Sequence, residues 1–317
     1  MILLQNNVEA GFAAPGKIVV ATDLTDTEYL LPHAVAQAKA SHASLILVHA
    51  VLPHESMPVE TGAIPYYDPL RMDRDARLML DSVARDIRAQ GIDCIAAVRH
   101  GFVPDIVAEI VRNSGAGRLI LGTHGRRGLK KFVLGSVARQ LLETVDVPVC
   151  TVGPRAHKKT SAAPVRILHP VSLAGAHESS AALSISLGRQ FAGQVILLHI
   201  IMPGTAVSRD PAAAIAAARA ELEKLIPEKA RAWTEARAQI AQGNVVQEIL
   251  KAAQETQAEL LVLGVHAPAH SWLPGTEPAA YKILVSAPCP VISLKVSPAF
   301  VDEKTEDKQH SHPVVLS

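Results

Sequence analysis

Short runs of β-branched and leucine residues recur along the chain, each followed by a stretch whose apolar positions fall three or four apart. In the first half the runs near residues 17–22, 44–51, 92–99, 118–122 and 147–152 read as strands. After the third of them, Val103, Ile106, Val107, Ile110 and Val111 take the i, i+3, i+4, i+7, i+8 spacing of a helix with one buried face. Val246, Ile249, Leu250 and Ala253 repeat that spacing in the second half. Strand-helix alternation of this kind predicts parallel strands joined by right-handed crossovers, with helices on both faces of the sheet. Ligands in such sheets sit at the carboxyl ends of the strands, so function is to be sought just after them.

The pattern occurs twice. Ala116 to His124 falls on Ala258 to His266, and Val147-Pro148-Val149 on Cys289-Pro290-Val291, at an offset of 142 positions that also brings Gly101 onto Gly243. Lys17-Ile18-Val19-Val20 matches Arg166-Ile167-Leu168-His169, and Leu47-Val48-His49 matches Leu197-Leu198-His199, at slightly larger offsets. Changing offsets mean loops of different length between two copies of one fold. The polar, proline-bounded stretch Pro154 to Pro164 reads as a linker. The predicted organisation is a domain over 15–156, a second over 163–297, and a polar tail over 298–317.

Composition narrows the function classes. With 31 basic and 30 acidic residues, no excess charge points to nucleic acid or an anionic membrane. Hydrophobic residues make up 49% of the chain and aromatic ones only 3%, so the cores must be built from Ala, Val, Leu and Ile. Residues 1–14 lack a basic leader pattern, and no apolar run reaches the ~18 residues that span a bilayer. A soluble, cytoplasmic protein without membrane insertion is the expectation. Cys94, Cys150 and Cys289 form no CxxC pair, and their odd number argues against a disulfide framework or a zinc site.

One loop carries candidate chemistry. After the fourth strand come Gly122, Thr123, His124, Gly125, Arg126 and Arg127, then Lys130 and Lys131, then Gly135-Ser136 opening a helix marked by Val137, Leu141 and Val145. Glycine lets backbone pass close to a ligand, and a helix start offers free N–H groups and the positive end of the helix dipole to a phosphate. Ser136 could cap that helix or donate to a phosphate oxygen, and the basic residues could supply counter-charge or simply form a solvated face. Asp23, after the first strand, could act on a ligand or cap the next helix. His49 and His199 match on strands and read as structural, whereas His310 and His312 in the tail are too sparse for a metal site.

Gly122, Gly125, Gly135 and Ser136, with Ala21-Thr22-Asp23 and Val48-His49-Ala50-Val51, resemble the ATP-binding members of the universal stress protein family. The resemblance covers both halves, and implies two open five-stranded parallel sheets of the Rossmann-like, adenine nucleotide α-hydrolase-like kind. It implies ATP as the ligand in the first half, with Thr22 and Asp23 near the phosphates or an accompanying Mg²⁺ and Val51 at adenine. By the same resemblance Gly122, Gly125 and Arg126 border the ribose and phosphates, while Gly135, Ser136 and Val137 hold the phosphate tail; His124, a further candidate for the cofactor, is matched by His266 and is open to a fold role as much as a ligand role. It further implies a bacterial stress-response role with little or no catalysis, a regulatory protein partner, and pairing of the two domains through their fifth strands, with a homodimer also open.

The second half departs from the motif. At the common offset Gly125 becomes Ala267, Gly135 becomes Glu277 and Ser136 becomes Pro278, and Asp23 meets Ser172. A carboxylate at Glu277 would repel phosphate, and Pro278 removes an N–H from the helix start. One nucleotide per chain is therefore expected, although Gly275-Thr276 could rebuild part of the cradle. Two other readings stay open: a slow ATPase or nucleotide-transferring enzyme, for which no second acid beside Asp23 and no base are evident, and an interaction module without a nucleotide.

Overall fold

Among the described residues ten strands form a single mixed sheet. This computed structural model describes residues 12–51, 69–123, 134–153, 155–156, 165–173, 177–203, 210–266 and 278–296. The first half contributes β1 (Lys17–Ala21), β2 (Ser44–Val51), β3 (Cys94–His100), β4 (Arg118–Gly122) and β5 (Val149–Val152). The second contributes β6 (Arg166–Pro170), β7 (Gln194–Ile201), β8 (Ala236–Gln242), β9 (Leu260–His266) and β10 (Val291–Val296). Side by side they run β3-β2-β1-β4-β5-β10-β9-β6-β7-β8, and within each half all neighbours are parallel. All five first-half ranges match the expectation to within two residues; β5 starts two residues late because Pro148 has no N–H, and its carbonyl instead accepts from the Leu119 amide at 3.1 Å.

The helices are α1 (Thr27–Ser41), α2 (Pro69–Arg88), α3 (Val103–Ser114) and α4 (Ser136–Thr144), then α5 (Glu178–Gln190), α6 (Pro211–Lys224), α7 (Val245–Glu255) and α8 (Ala279–Ser286). Alternation along each strand sends successive side chains to opposite faces. Ile18 and Val20 join a layer under α1 and α2, with Leu30, Ala34, Leu80 and Ile87; Val19 joins the opposite layer under α3 and α4, with Val107, Val111 and Leu141. The same division holds for α5 and α6 against α7 and α8. Each fully buried Leu or Ile contributes about 1.5–3 kcal/mol, enough for the layers to fix the register.

The repeat is also a repeat of backbone geometry. Gly101 and Gly243 both take positive φ, 137° and 144°, and each donates its amide to the last carbonyl of the neighbouring strand, Val51 or Ile201, at 3.1 Å. No other residue adopts that conformation without strain. His49 Nδ1 lies 2.9 Å from the Thr22 carbonyl and His199 Nδ1 2.9 Å from that of Val171, so the matched histidines brace matched loops.

The halves join edge to edge. β5 and β10 run antiparallel, with Val149 opposite Ser293, Cys150 opposite Ile292 and Thr151 opposite Val291. Cys150 and Ile292 hold the same place in the repeat, so a pseudo-two-fold axis passes through that pair. Parallel pairing inside each half and antiparallel pairing between them follow from that symmetry.

Candidate functional site

The described candidate residues gather at the carboxyl ends of three adjacent strands. Thr22 and Asp23 follow β1, Val51 ends β2, and Gly122 ends β4. Across from them α4 begins at Ser136, directed by one hydrogen bond: the Gly135 amide donates to the Thr123 carbonyl at 2.9 Å. A Cβ at Gly135 would lie 3.2 Å from that carbonyl oxygen, which explains glycine there although its φ is an ordinary −59°. Thr123 is fully buried, and its own amide binds the Val152 carbonyl at 3.1 Å. The start of α4 is thus anchored to the ends of β4 and β5.

Gly135 is the residue before the helix, so Ser136 is its first residue and not its cap. Its hydroxyl makes no hydrogen bond to a described residue, and the first bond back along the helix runs from the Arg139 amide to the Gly135 carbonyl at 3.0 Å. The amides of Ser136, Val137 and Ala138 consequently precede the helical ladder, as helix starts require. His124, Gly125 and Arg126 lie outside the described residues.

On the β1 side the loop is held by its own side chains. Asp23 Oδ1 accepts from the Thr25 amide at 2.8 Å and the Thr25 hydroxyl at 2.6 Å, whereas Oδ2 is buried with no partner among the described residues. The helix-capping alternative is replaced by this tight turn, because the residue before α1 is Asp26. Thr22 is turned inward: its hydroxyl donates to Asp26 and accepts from the Leu24 amide at 2.9 Å. Leu24 takes a left-handed φ of 69°, the strain this turn carries. Val51 spends its carbonyl on Gly101.

Asp26 is the residue that the sequence reading missed. It is 4% exposed, and burial, with the nearby Asp23 charge, pushes its carboxyl up to about 6 despite the Thr22 hydrogen bond. The second acid beside Asp23 therefore exists, four residues after Thr22, a spacing that places both side chains on one turn. Being buried and bound by Thr22, it offers no base to the open cleft. Among the described residues no three His, Cys, Asp or Glu stand together to hold a metal ion.

At the corresponding place in the second half, α8 starts after Pro278, which brings no N–H. A Cβ at Gly264 would lie 3.1 Å from the Ser180 hydroxyl.

The sequence profile of the universal stress protein family matches residues 15–153 and again 161–295. The chain belongs to that family. A universal stress protein of Methanocaldococcus jannaschii is 26% identical over 139 residues, covering 43% of this chain and 81% of the relative. Among solved structures, a universal stress protein from Archaeoglobus fulgidus superposes with a TM-score of 0.66 at 18% identity, over 88% of this chain and 98% of its own. A functionally unknown protein from Pseudomonas aeruginosa gives 0.60 at 18% identity, over 89% and 93%. At those identities the two structures support the tandem fold. No helix among the described residues is long and apolar enough to cross a membrane.

Proposed function

We propose that the first half binds one ATP in the cleft above β1, β2 and β4, and that the chain acts as a nucleotide-dependent regulator in the bacterial stress response. The observation that carries this reading is the pairing of an unpartnered, buried Asp23 Oδ2 with the open start of α4 across one strand-end cleft. The amides of Ser136, Val137 and Ala138 and the Ser136 hydroxyl are donors suited to phosphate oxygens. Asp23 suits a Mg²⁺ shared with the phosphates, since Mg²⁺ sites commonly use one or two carboxylates and let the substrate supply the rest. Thr22 acts as a strut that fixes the turn, and Val51, the last residue of β2, is assigned to the adenine end of the cleft.

The second half serves as the partner of the first. Its helix start lacks the N–H that Pro278 removes, so one nucleotide per chain is the reading. A regulator of this kind requires binding and no turnover. Native mass spectrometry of the freshly purified chain is the test. A mass increment of one ATP per chain supports the proposal; no increment, together with no heat on calorimetric titration of the chain with Mg·ATP, overturns it.

A further inference from the structure

The pseudo-two-fold through Cys150 and Ile292 relates the two halves, yet the side chains packed against it on the α1 and α5 side are not alike. Arg118, 3% exposed, donates to Gln37 Oε1 of its own half at 2.9 Å and to Gln190 Oε1 of the other half at 3.2 Å, and lies 5.9 Å from the Phe191 ring. Gln37 Nε2 reaches Cys150 Sγ at 3.3 Å, and Gln190 Nε2 donates to the Ser41 hydroxyl. No carboxylate pairs with Arg118 among the described residues.

The matched left-handed residues His42 and Ala192, φ 53° and 49°, align the ends of α1 and α5. Ser41 then corresponds to Phe191, Ala40 to Gln190 and Gln37 to Leu187, while Arg118 corresponds to Leu260. The buried network exists in one copy where a two-fold dimer would hold two. If two first halves paired, each Arg118 would face Ala40 and Ser41 and lose both its cross-seam acceptor and the ring. Each guanidinium would keep Gln37 of its own half and lose the second of its two acceptors, and a buried charge that loses a partner is disfavoured. Two second halves would put a second Phe191 ring in the place that Ser41 holds now, an overpacking penalty.

We propose that this side of the seam makes the pairing surface of the first half specific for the second half and closed to a copy of itself. Specificity arises from what the wrong pair loses, as in other interfaces that reject self-association.

The test uses the folded, full-length chain, cut between residues 157 and 163. Unlabelled and ¹⁵N-labelled cut protein are mixed, unfolded in urea and refolded together, and native mass spectrometry counts the pairs. Only first-with-second pairs are expected, with light and heavy halves scrambled. Same-half pairs above about a tenth of the total, or halves recovered unpaired, overturn the proposal. A second measurement needs no cutting: in the intact chain, Gln190→Ala and Phe191→Ser are expected to speed alkylation of Cys150, followed peptide by peptide, about tenfold or more. Cys94, on the far strand β3, should react at its original rate. An unchanged Cys150 rate in both variants overturns the proposal independently of refolding.

Discussion

The guanidinium of Arg139 in α4 lies 5.2 Å from the centre of the ring of Tyr281 in α8, and the two residues match each other in the sequence repeat, 142 positions apart. Tyr281 also donates its hydroxyl to Glu143 Oε1 at 3.0 Å, and burial followed by that contact pushes its phenol up to about 12. α4 therefore carries the unladdered amides in its first turn and grips the second half in the residues that follow.

Tyr281→Phe removes the bond to Glu143 and keeps the ring. It is expected to lower stability by about 1 kcal/mol, the usual net worth of a hydrogen bond. Arg139→Ala should cost a further ~0.5–1 kcal/mol through the lost cation–π contact. Urea denaturation of the single and double variants checks both figures, and strict additivity would show that the two contacts act separately.

Titration of the intact chain is expected to saturate at one ATP. Ser136→Pro and Gly135→Glu, each placing the second half's residue into the first, should weaken binding at least tenfold, ~1.4 kcal/mol. For Ser136→Pro the fold should survive, because proline is tolerated at a first helical position. Gly135→Glu adds a Cβ 3.2 Å from the Thr123 carbonyl, so its circular dichroism must be compared before its affinity is read. Saturation at two equivalents would sink the single-site reading.

Asp26 should make the protein less stable as pH rises. Its folded-state value of about 6 lies above the ordinary 3.8, so the native state holds the proton more tightly than the unfolded chain does. The stability this proton contributes is complete below the unfolded value and is lost as pH climbs through the folded one. Asp26→Asn, which keeps the shape and cannot ionise, is expected to gain up to about 3 kcal/mol on the wild type at neutral pH and nothing in acid. A gap between variant and wild type that stays constant across this range would contradict the assignment.

His169 works in the opposite sense. It is fully buried, its Nδ1 lies 2.9 Å from the Val262 carbonyl, and burial lowers it to about 4 from 6.5. The native state binds the proton more weakly than the unfolded chain, so stability is present above the unfolded value and is lost as pH falls towards the folded one. The matching residue of the first half is Val20. His169→Val is expected to recover about 2 kcal/mol near pH 5, with a much smaller change near pH 8. Equal shifts at both pH values would show that packing and not protonation decides.

The repeat, the strand ranges and the matched glycines and histidines were legible because each reflects a local requirement: a period, a positive φ, a carbonyl within reach of an imidazole. Gly101 and Gly243 fall on each other in the repeat, and both adopt a positive φ. Asp26 was not legible, since nothing local says that the chain folds back over its carboxylate and turns the Thr22 hydroxyl onto it. Arg118 was hidden for a related reason. A charged residue opening a strand looks solvent-facing until α1 and α5 cover it, although the apolar Leu260 at the matching place was a usable sign of burial. For the cradle, the Gly135-Ser136 spacing pointed to the helix start, while the bond to Thr123 that aims it depends on tertiary packing.

Because β5 meets β10 inside one polypeptide, dilution does not separate them. Two separate chains of this kind would be mostly apart whenever their concentration fell below their dissociation constant. A short tether instead keeps the edges at an effective concentration in the millimolar range, whatever the abundance of the protein. Synthesis also supplies the two halves in equal number from one message. Any response that depends on the joined sheet should therefore scale linearly with the amount of protein, without the threshold that a self-assembling pair would impose.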